Sequence, residues 1–179
     1  SGRRESNIQN KRNIIMTIQV GDPMPEGEFK LMGKGGLEGL TTKDLFSNKK
    51  VVLFSVPGAF TPTCSAQHLP GYVGMSDALK EKGVDVVACM AVNDVFVMSA
   101  WGEAAEAGGK VLMLADGNAE YARALGLELD ASGFGMGTRG QRFSIIVDDG
   151  VVTELNIEPP GEFKVSSAEV ALEQVTAER

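Results

Sequence analysis

The fold of this chain is decided by the stretch Val51-Val-Leu-Phe-Ser-Val-Pro-Gly-Ala-Phe-Thr-Pro-Thr-Cys64-Ser-Ala-Gln-His68. Its first six residues are mostly apolar and β-branched, and Pro57-Gly58 follows them, which predicts a buried strand that ends in a turn. Beyond this stretch, apolar residues recur at helical spacing: Leu69, Tyr72, Val73, Met75 and Leu79. Thr61 or Thr63 can cap that helix. The pattern therefore places Cys64 just after a strand and in the first turn of a helix.

A cysteine in that position is favoured as a thiolate. The first amide groups of a helix have no partner inside the helix, and the helix dipole adds partial positive charge. An ordinary cysteine has a pKa of ~8.5, and making it mostly thiolate at neutral pH takes about 2.7 kcal/mol. A helix end usually contributes only ~0.3–1 kcal/mol. We therefore expect a cation close to Cys64.

The segment Pro57-x-x-x-Thr61-x-x-Cys64 resembles the active-site signature of the peroxiredoxins, which are thiol peroxidases with a thioredoxin-like fold. With Ser65 and the following His68-Leu-Pro-Gly71, it is similar to the type II (atypical, peroxiredoxin-5-like) branch. The resemblance runs from about Thr17 to the C-terminus. It implies that Pro57 shields the cysteine and that the Thr61 hydroxyl hydrogen-bonds the sulfur and the peroxide. It also implies that Arg142 stabilises the thiolate.

Length and charge narrow the classes of protein. At 179 residues the chain is expected to form one domain that buries about 70% of its unfolded surface. The formal charge of −7 argues against a nucleic-acid or membrane partner and suits a small substrate. Two cysteines and one histidine provide no zinc-site spacing. We therefore expect no metal, and we expect no organic cofactor because attack on a peroxide requires only a deprotonated sulfur, in-line geometry and donors for the departing oxygen.

The first fifteen residues differ in composition from the rest. They carry four basic residues against Glu5. We interpret residues 1–15 as a flexible basic tail, an expression remnant or the mature end of a targeting sequence, and residues 16–179 as the single domain. The expected location is the cytoplasm. An organelle, mitochondrion or plastid, is the alternative if the tail ends a targeting sequence.

The remaining chain alternates strands with helices, which predicts a sheet with parallel strands and right-handed crossovers. Predicted strands cover residues 29–32, 51–56, 84–92, 110–115, 142–147 and 151–155, and predicted helices include residues 42–46 and 119–125. Ser166-x-x-Glu169 reads as a capping box that opens a terminal helix. With the resemblance, the fold class is α/β and thioredoxin-like: a central mixed sheet flanked by helices, with an N-terminal hairpin extension.

Two arginines compete for the role of the cation, Arg139 in a glycine-rich segment and Arg142 at the start of a strand. A strand holds a side chain more rigidly than a loop does, which favours Arg142. The resemblance also assigns this role to Arg142, and it implies that Arg139 supports Arg142 without contacting the sulfur. The run Gly135-x-Gly137-x-x-Gly140 matches a dinucleotide fingerprint, but that motif needs a helix after it, and here a strand follows. We interpret it as a flexible loop beside the active site.

His68 stands four residues after Cys64, so both side chains share one helix face. The pair invites comparison with a cysteine hydrolase, in which the histidine acts as a base. Such an enzyme also needs an orienting Asn or Asp and an oxyanion hole, and the sequence shows neither. We therefore assign His68 a structural or tuning role.

Cys89 lies in the apolar run Val86-Val-Ala-Cys-Met, which is typical of an inert buried cysteine. The resemblance adds an alternative, because some plant-like type II members use the equivalent cysteine as the resolving thiol. Another subgroup carries its resolving cysteine near the C-terminal end, where this chain has other residues from Glu162 to Ser167. Cys89 therefore has two open interpretations, structural and resolving.

These features predict a thiol peroxidase in which the Cys64 thiolate attacks hydrogen peroxide or an alkyl hydroperoxide and becomes a sulfenic acid. A disulfide needs Cα atoms within ~7 Å, and a capped helical turn and a central strand oppose that approach for Cys64 and Cys89. Glutathione with glutaredoxin is therefore the expected reductant. The alternatives are a Cys64–Cys89 disulfide reduced by thioredoxin, and a redox-sensing interaction module without turnover.

The cluster Phe96, Val97, Met98 and Trp101 bears on assembly. Core packing accounts for most of these residues, whereas a large aromatic residue at a surface near the active site can anchor an interface. Because type II peroxiredoxins commonly pair through such a surface, the resemblance implies a homodimer.

Overall fold

The computed structural model describes residues 16–178, and the predicted basic tail, residues 1–15, lies outside this range. The strands are β1 Glu28–Gly33, β2 Gly36–Thr41, β3 Lys50–Ser55, β4 Val86–Ala91, β5 Leu112–Ala115, β6 Glu128–Asp130, β7 Thr138–Gly140, β8 Phe143–Asp148 and β9 Val151–Ile157. The helices are α1 Thr42–Phe46, α2 Leu69–Glu81, α3 Val95–Ala104, α4 Glu120–Leu125 and α5 Ala168–Ala177. None of the helices in the described range has the length and apolar character that crossing a bilayer requires.

A seven-stranded mixed sheet forms the centre of the domain, in the order β2-β1-β5-β4-β3-β8-β9. Strands β3, β4 and β5 run parallel, whereas β8 pairs antiparallel with β3, and the β1–β2 hairpin joins the other edge. The mixed sheet flanked by helices and the N-terminal hairpin predicted from the sequence are thus confirmed.

Strand β3 is buried on both faces, which explains its nearly continuous apolar sequence. Val52 and Phe54 pack into the hydrophobic cluster that also contains Cys64 and the apolar side of α2. Val51 and Leu53 pack into the cluster on the opposite face of the sheet. Each fully buried side chain of this size contributes roughly 1.5–3 kcal/mol. Cys64 therefore follows a strand that is buried on both faces of the sheet.

The pairing of β3 brings distant residues to one edge of the sheet. Ser55, the last residue of β3, lies opposite Phe143, the first residue of β8. Phe143 in turn lies opposite Ile157, the last residue of β9. Arg142 and Glu158 therefore flank the point where the chain leaves β3 towards Cys64. The sequence predicted that Arg142 is the first residue of this strand, whereas in the structure it lies one residue before β8.

The segment Cys64–His68 forms one π-helical turn, and the chain continues directly into α2. The amide of Leu69 bonds the Cys64 carbonyl, five residues back. The threonine caps proposed from the sequence are not formed: the Thr63 side chain accepts no capping bond, and the Thr61 hydroxyl donates to the Gly58 carbonyl. A π-helical turn of this kind often occurs at a functional site.

The predicted capping box at Ser166 and Glu169 is wrong by one residue. Ser167 caps α5, because its hydroxyl accepts a hydrogen bond of 3.3 Å from the Val170 amide. The hydroxyl of Ser166 instead donates to the Glu158 carboxylate at 2.7 Å. Ser166, which the local sequence favoured as the cap, is thus bonded to Glu158 instead.

The glycine-rich segment from residue 135 to residue 140 is more ordered than the loop predicted from the sequence. Residues Thr138–Gly140 form β7, which pairs antiparallel with β6 in a separate two-stranded sheet. Gly135 and Gly137 have positive φ angles of 70° and 67°, which glycine adopts without strain. These two glycines turn the chain from the helical turn Ser132–Phe134 back into β7.

Candidate active site

A hydrogen bond joins Arg142 to Cys64. The Arg142 Nη2 atom donates to the Cys64 sulfur over 3.0 Å. Cys64 is fully buried at the start of the π-helical turn. A guanidinium this close is a charged donor for the sulfur, and such bonds are stronger than those between neutral groups. Arg142 is therefore the nearby cation that the sequence led us to expect, because a helix terminus alone is too weak to hold Cys64 as a thiolate.

His68 holds the other side of the same guanidinium. Arg142 Nη1 lies 2.8 Å from His68 Nδ1, and His68 Nε2 lies 3.0 Å from the Ser166 carbonyl. Because a carbonyl only accepts and an arginine only donates, the proton of the neutral ring is on Nε2. Burial, with the nearby Arg142 charge, lowers the pKa of His68 to about 3. His68 is therefore a neutral acceptor throughout the physiological range.

The arrangement at His68 excludes the hydrolase pairing. In that pairing the imidazole would bond the cysteine sulfur and take its proton. Here both ring nitrogens are engaged elsewhere, with Arg142 and with the Ser166 carbonyl. Aromatic rings enclose the imidazole, with centroid distances of 4.8 Å to Phe54 and 4.9 Å to Phe163. The side chain is a fixed spacer between the guanidinium and the backbone at Ser166.

Thr61 and Pro57 lie between β3 and Cys64, and both are partly buried. The Thr61 hydroxyl donates to the Gly58 carbonyl over 2.7 Å, and the Thr61 carbonyl accepts from the Ser65 amide at 2.9 Å. The resemblance implies that this hydroxyl bonds the Cys64 sulfur. In the structure it bonds the turn after β3 instead. Thr61 ties that turn to the beginning of the π-helical segment.

Arg139 occupies a different place from Arg142. Its guanidinium donates to the carbonyl oxygens of Met136, at 2.9 Å, and of Val92, at 3.3 Å. It packs against Gly58, where an added Cβ would lie 3.1 Å from Arg139 Nη1. Arg139 therefore fastens β7 to the residue after β4 and packs beside the turn after β3, and the charge beside the sulfur comes from Arg142.

Cys89 lies in the middle of β4, opposite Phe54 of β3 and Met113 of β5. It is fully buried and belongs to the same hydrophobic cluster as Cys64. Burial, followed by the effect of Cys64, raises the pKa of the Cys89 thiol well above its usual value. Both cysteines are free thiols. The surroundings of Cys89 therefore keep it protonated, and it has none of the activating contacts of Cys64.

Sequence reasoning missed two contacts that support the site. The Glu158 carboxylate binds the segment that contains Ser166, and the Trp101 indole donates a 3.0 Å hydrogen bond to the Ser65 hydroxyl. No local signal marks either contact, because each joins residues from separate elements. Glu158 follows the last residue of β9 and precedes two prolines, which predicts only the end of a strand.

Solved structures with the same fold include proteins with closely related sequences. Reduced Prx3 from Vibrio vulnificus in complex with hydrogen peroxide is 52% identical and superposes with a TM-score of 0.86, covering 89% of this chain and 99% of its own. Peroxiredoxin 5 from Alvinella pompejana is 35% identical with a TM-score of 0.78, covering 89% of this chain and 98% of its own.

Sequence relatives give the same result. Peroxiredoxin-2E-2, chloroplastic, from Oryza sativa subsp. japonica is 48% identical over 164 residues, which cover 89% of this chain and 73% of that protein. Peroxiredoxin-2D from Arabidopsis thaliana is 46% identical over 153 residues, 85% of this chain and 94% of that protein. The Redoxin family profile matches residues 19–172. The chain therefore belongs to the redoxin family and, within it, to the peroxiredoxins, the enzymes that reduce peroxides with a cysteine thiol.

Proposed function

We propose that Cys64 is the peroxidatic cysteine and that glutathione, with glutaredoxin, returns it to the thiol. The contact that carries the assignment is the 3.0 Å hydrogen bond from Arg142 Nη2 to the Cys64 sulfur. The Cys64 thiolate attacks the terminal oxygen of the peroxide, the O–O bond breaks, and the sulfur is oxidised to a sulfenic acid. The departing hydroxide or alkoxide takes a proton and leaves as water or an alcohol. Reduced Prx3 from Vibrio vulnificus in complex with hydrogen peroxide supports this substrate class.

The guanidinium serves both stages of the attack. It favours the thiolate before reaction, and its remaining donor capacity is available to the oxygen on which negative charge develops as the O–O bond breaks. No metal or organic cofactor enters this step. Because Cys64 has no exposed surface, a reagent must displace the residues that cover the sulfur before it can react.

An external thiol is favoured as the reductant because of the position of Cys89. Cys89 is fully buried in β4, with β3 and β5 hydrogen-bonded on either side. To bring the two sulfurs together, the π-helical turn must unwind or the sheet must open, and lost hydrogen bonds cost about 0.5–1.5 kcal/mol each. Glutathione attacks the sulfenic acid and releases water, and glutaredoxin then takes up the glutathione from the mixed disulfide. Thioredoxin with a Cys64–Cys89 disulfide is the competing route.

Peroxide consumption by the Cys64→Ser variant tests the assignment. Consumption in the presence of glutathione and glutaredoxin should continue over many equivalents with the unaltered protein and stop with the variant. Turnover that survives in Cys64→Ser excludes Cys64 as the reacting thiol. Consumption of a single equivalent by the unaltered protein would instead indicate a redox sensor.

Mass spectrometry after one equivalent of peroxide, without added thiol, tests the reductant. We expect a trapped Cys64 sulfenic acid and unchanged turnover with glutathione and glutaredoxin in Cys89→Ala. A dominant intrachain disulfide, together with loss of turnover in Cys89→Ala, would identify the thioredoxin route. Thermal unfolding of Cys89→Ala provides the control for folding, since the removed sulfur leaves a small cavity in the core.

The proposal includes a homodimer formed through the surface beside Trp101. Trp101 itself is 2% exposed, so the tryptophan belongs to the core. Phe60 and Phe96 are 53% and 67% exposed, and a cavity of about 200 Å³ is lined by Phe60 and Trp101 together with Ser65, Pro70, Ala104 and Ala105. Light scattering should give twice the chain mass of 19.0 kDa at micromolar concentrations. Phe60→Glu should shift the protein to the monomer, whereas a monomeric mass for the unaltered chain would contradict the dimer.

The cellular location also belongs to this proposal. The names of the rice relative and of one Arabidopsis relative include the word chloroplastic, which fits the organellar alternative to the cytoplasm. A fluorescent fusion of the complete coding sequence distinguishes the two compartments.

A further inference from the structure

The Glu158 carboxylate holds a segment of the chain by one of its oxygens. Glu158 Oε2 accepts from the amides of Lys164, Val165 and Ser166, at 2.7, 2.9 and 2.9 Å. It also accepts from the Ser166 hydroxyl at 2.7 Å. The residue is 5% exposed. Although burial opposes it, these four donors lower the pKa of the carboxyl group. The segment from residue 164 to residue 166 thus wraps around an ionised carboxylate.

The backbone of Glu158 contacts the active site as well. Its amide donates to the Arg142 carbonyl over 3.0 Å, continuing the pairing of β9 with β8. Glu158 therefore touches the main chain of the arginine on one side and the segment around Ser166 on the other. No other carboxylate in the described range bonds both of these segments.

The segment from residue 164 to residue 166 provides the hydrogen-bond acceptor for His68, which is the Ser166 carbonyl. The Ser166 carbonyl accepts from His68 Nε2 at 3.0 Å and from the Tyr72 hydroxyl at 2.8 Å. With the proton held on Nε2, the lone pair on Nδ1 is available to Arg142 Nη1, 2.8 Å away. The other tautomer would place an N–H against the guanidinium and leave the Ser166 carbonyl without its imidazole donor. A shift of Ser166 would therefore release His68 and, with it, the guanidinium.

We propose that Glu158 is a positioning residue for the peroxidatic thiol. Its carboxylate fixes the Ser166 carbonyl, the carbonyl selects the His68 tautomer, and that tautomer holds the Arg142 guanidinium against the Cys64 sulfur. Glu158 does not itself touch Cys64. The inference deepens the proposed function, because it concerns how the same thiol is activated, and it is independent of which thiol reduces the enzyme.

Substitution Glu158→Gln tests the proposal, because it keeps the size of the side chain and removes its charge. All four donors bond Oε2, so in the variant they meet a neutral amide oxygen instead of a charged carboxylate, which weakens each bond. We expect iodoacetamide alkylation of Cys64 to shift to higher pH by about one unit, a tenfold loss of thiolate at a given pH. The rate constant for peroxide should fall by about tenfold to a hundredfold, as for other misplaced groups.

His68 is the only histidine of the chain, so the nitrogen NMR signals of its ring are unambiguous. In the unaltered protein Nε2 should show the shift of a protonated nitrogen and Nδ1 that of an unprotonated one. In Glu158→Gln the two signals should move towards each other as the tautomers mix. A purely structural role of Glu158 would lower stability and leave this signature in place.

Glu162→Gln is the matched control, since it makes the same charge change two residues before the held segment, on a side chain that is 43% exposed. We expect the alkylation profile and the histidine signals of this variant to be unchanged. If Glu158→Gln does not fold, Ser166→Ala decides instead, because it removes one of the four donors and should shift both readouts in the same direction by less. Unchanged readouts in the folded variants, or an equal change in Glu162→Gln, would overturn the proposal.

The two proposals fail in different ways. Neither alkylation nor the histidine signals need turnover, so unaltered readouts in Glu158→Gln, alongside peroxide consumption that depends on Cys64, would reject only the role of Glu158. Peroxide consumption that persists in Cys64→Ser would reject the proposed function, whatever the Glu158 variant shows.

Discussion

The indole of Trp101 is hydrogen-bonded to the Ser65 hydroxyl over 3.0 Å, which fastens helix α3 to the residue next to Cys64. Trp101 is 2% exposed, whereas Ser65 is partly exposed. The contact therefore joins the hydrophobic core to the π-helical turn. The turn that carries Cys64 is held at its beginning by α3 and at its end by the bonds of His68.

Ser65→Ala should destabilise the protein by about 1–3 kcal/mol, because it leaves a buried indole N–H without a partner. Trp101 is the only tryptophan, so its fluorescence in urea unfolding measures the change directly. Ser47→Ala is the control: Ser47 is exposed and follows α1, and the effect should stay within about 0.5 kcal/mol. Equal stabilities of the two variants would contradict the role of the bond.

Arg142→Ala should shift the alkylation of Cys64 to higher pH and slow the reaction with peroxide by at least about tenfold, because the cation beside the sulfur is lost. Arg139→Ala should have a smaller effect, since Arg139 bonds backbone carbonyls. The effect of Arg142→Lys should lie between those of Arg142→Ala and Arg139→Ala. Lysine keeps the charge, but its ammonium group does not reproduce the planar guanidinium that bonds both His68 and Cys64. Stopped-flow kinetics rank the three variants, and a larger effect from Arg139→Ala would reverse the assignment.

The folded protein should lose stability as the pH falls below 6.5. The unfolded chain protonates His68 near the ordinary pKa of 6.5, whereas the folded chain protonates it only at about 3. Between these values the unfolded state binds one more proton, so the free energy of unfolding falls by about 1.4 kcal/mol for each pH unit. His68→Gln should remove this contribution.

Urea unfolding between pH 4.5 and pH 6.5 measures the difference, because the ordinary pKa of a glutamate, 4.5, lies at the lower limit of this window. Comparing slopes cancels any constant loss of stability caused by the substitution. Identical slopes for the unaltered protein and His68→Gln would show that His68 is not buried as a neutral group.

Gly58→Ala should impair the site, because its Cβ would lie 3.1 Å from Arg139 Nη1, 3.2 Å from Thr61 Cγ2 and 3.3 Å from Met136 Cε. Such crowding typically costs about 1–3 kcal/mol, and displacing Thr61 should also slow peroxide reduction. Gly74→Ala should have the opposite effect on stability. Gly74 lies within α2, and nothing would lie within 4 Å of an added Cβ. Alanine should therefore stabilise the helix by up to about 1 kcal/mol. Thermal unfolding and peroxide kinetics of both variants check the pair.

The position of Cys64 and the order of the elements could be predicted from the sequence because their signals are local. The apolar run before Pro57-Gly58 predicted β3, and α3 likewise begins at a local signal, because the Asp94 side chain caps it by accepting from the Val97 amide. The hairpin at Asp149-Gly150 has the positive φ angles, 48° and 81°, that the residue pair favours. Each of these features depends on the conformational preferences of a few adjacent residues.

The sequence by itself therefore determined the α/β class, the candidate thiol and the need for a nearby cation. The sequence also favoured Arg142 over Arg139 as that cation, and the structure places its guanidinium against the Cys64 sulfur. Only the tertiary structure decided that His68 is a neutral acceptor, that Ser167 rather than Ser166 caps α5, and that Glu158 anchors the last segment. The reason is physical. Backbone propensities act over a few residues, whereas these contacts join residues up to 98 positions apart, such as His68 and Ser166. They form only when the pairing of β3, β8 and β9 brings their donors and acceptors together in a site that excludes water.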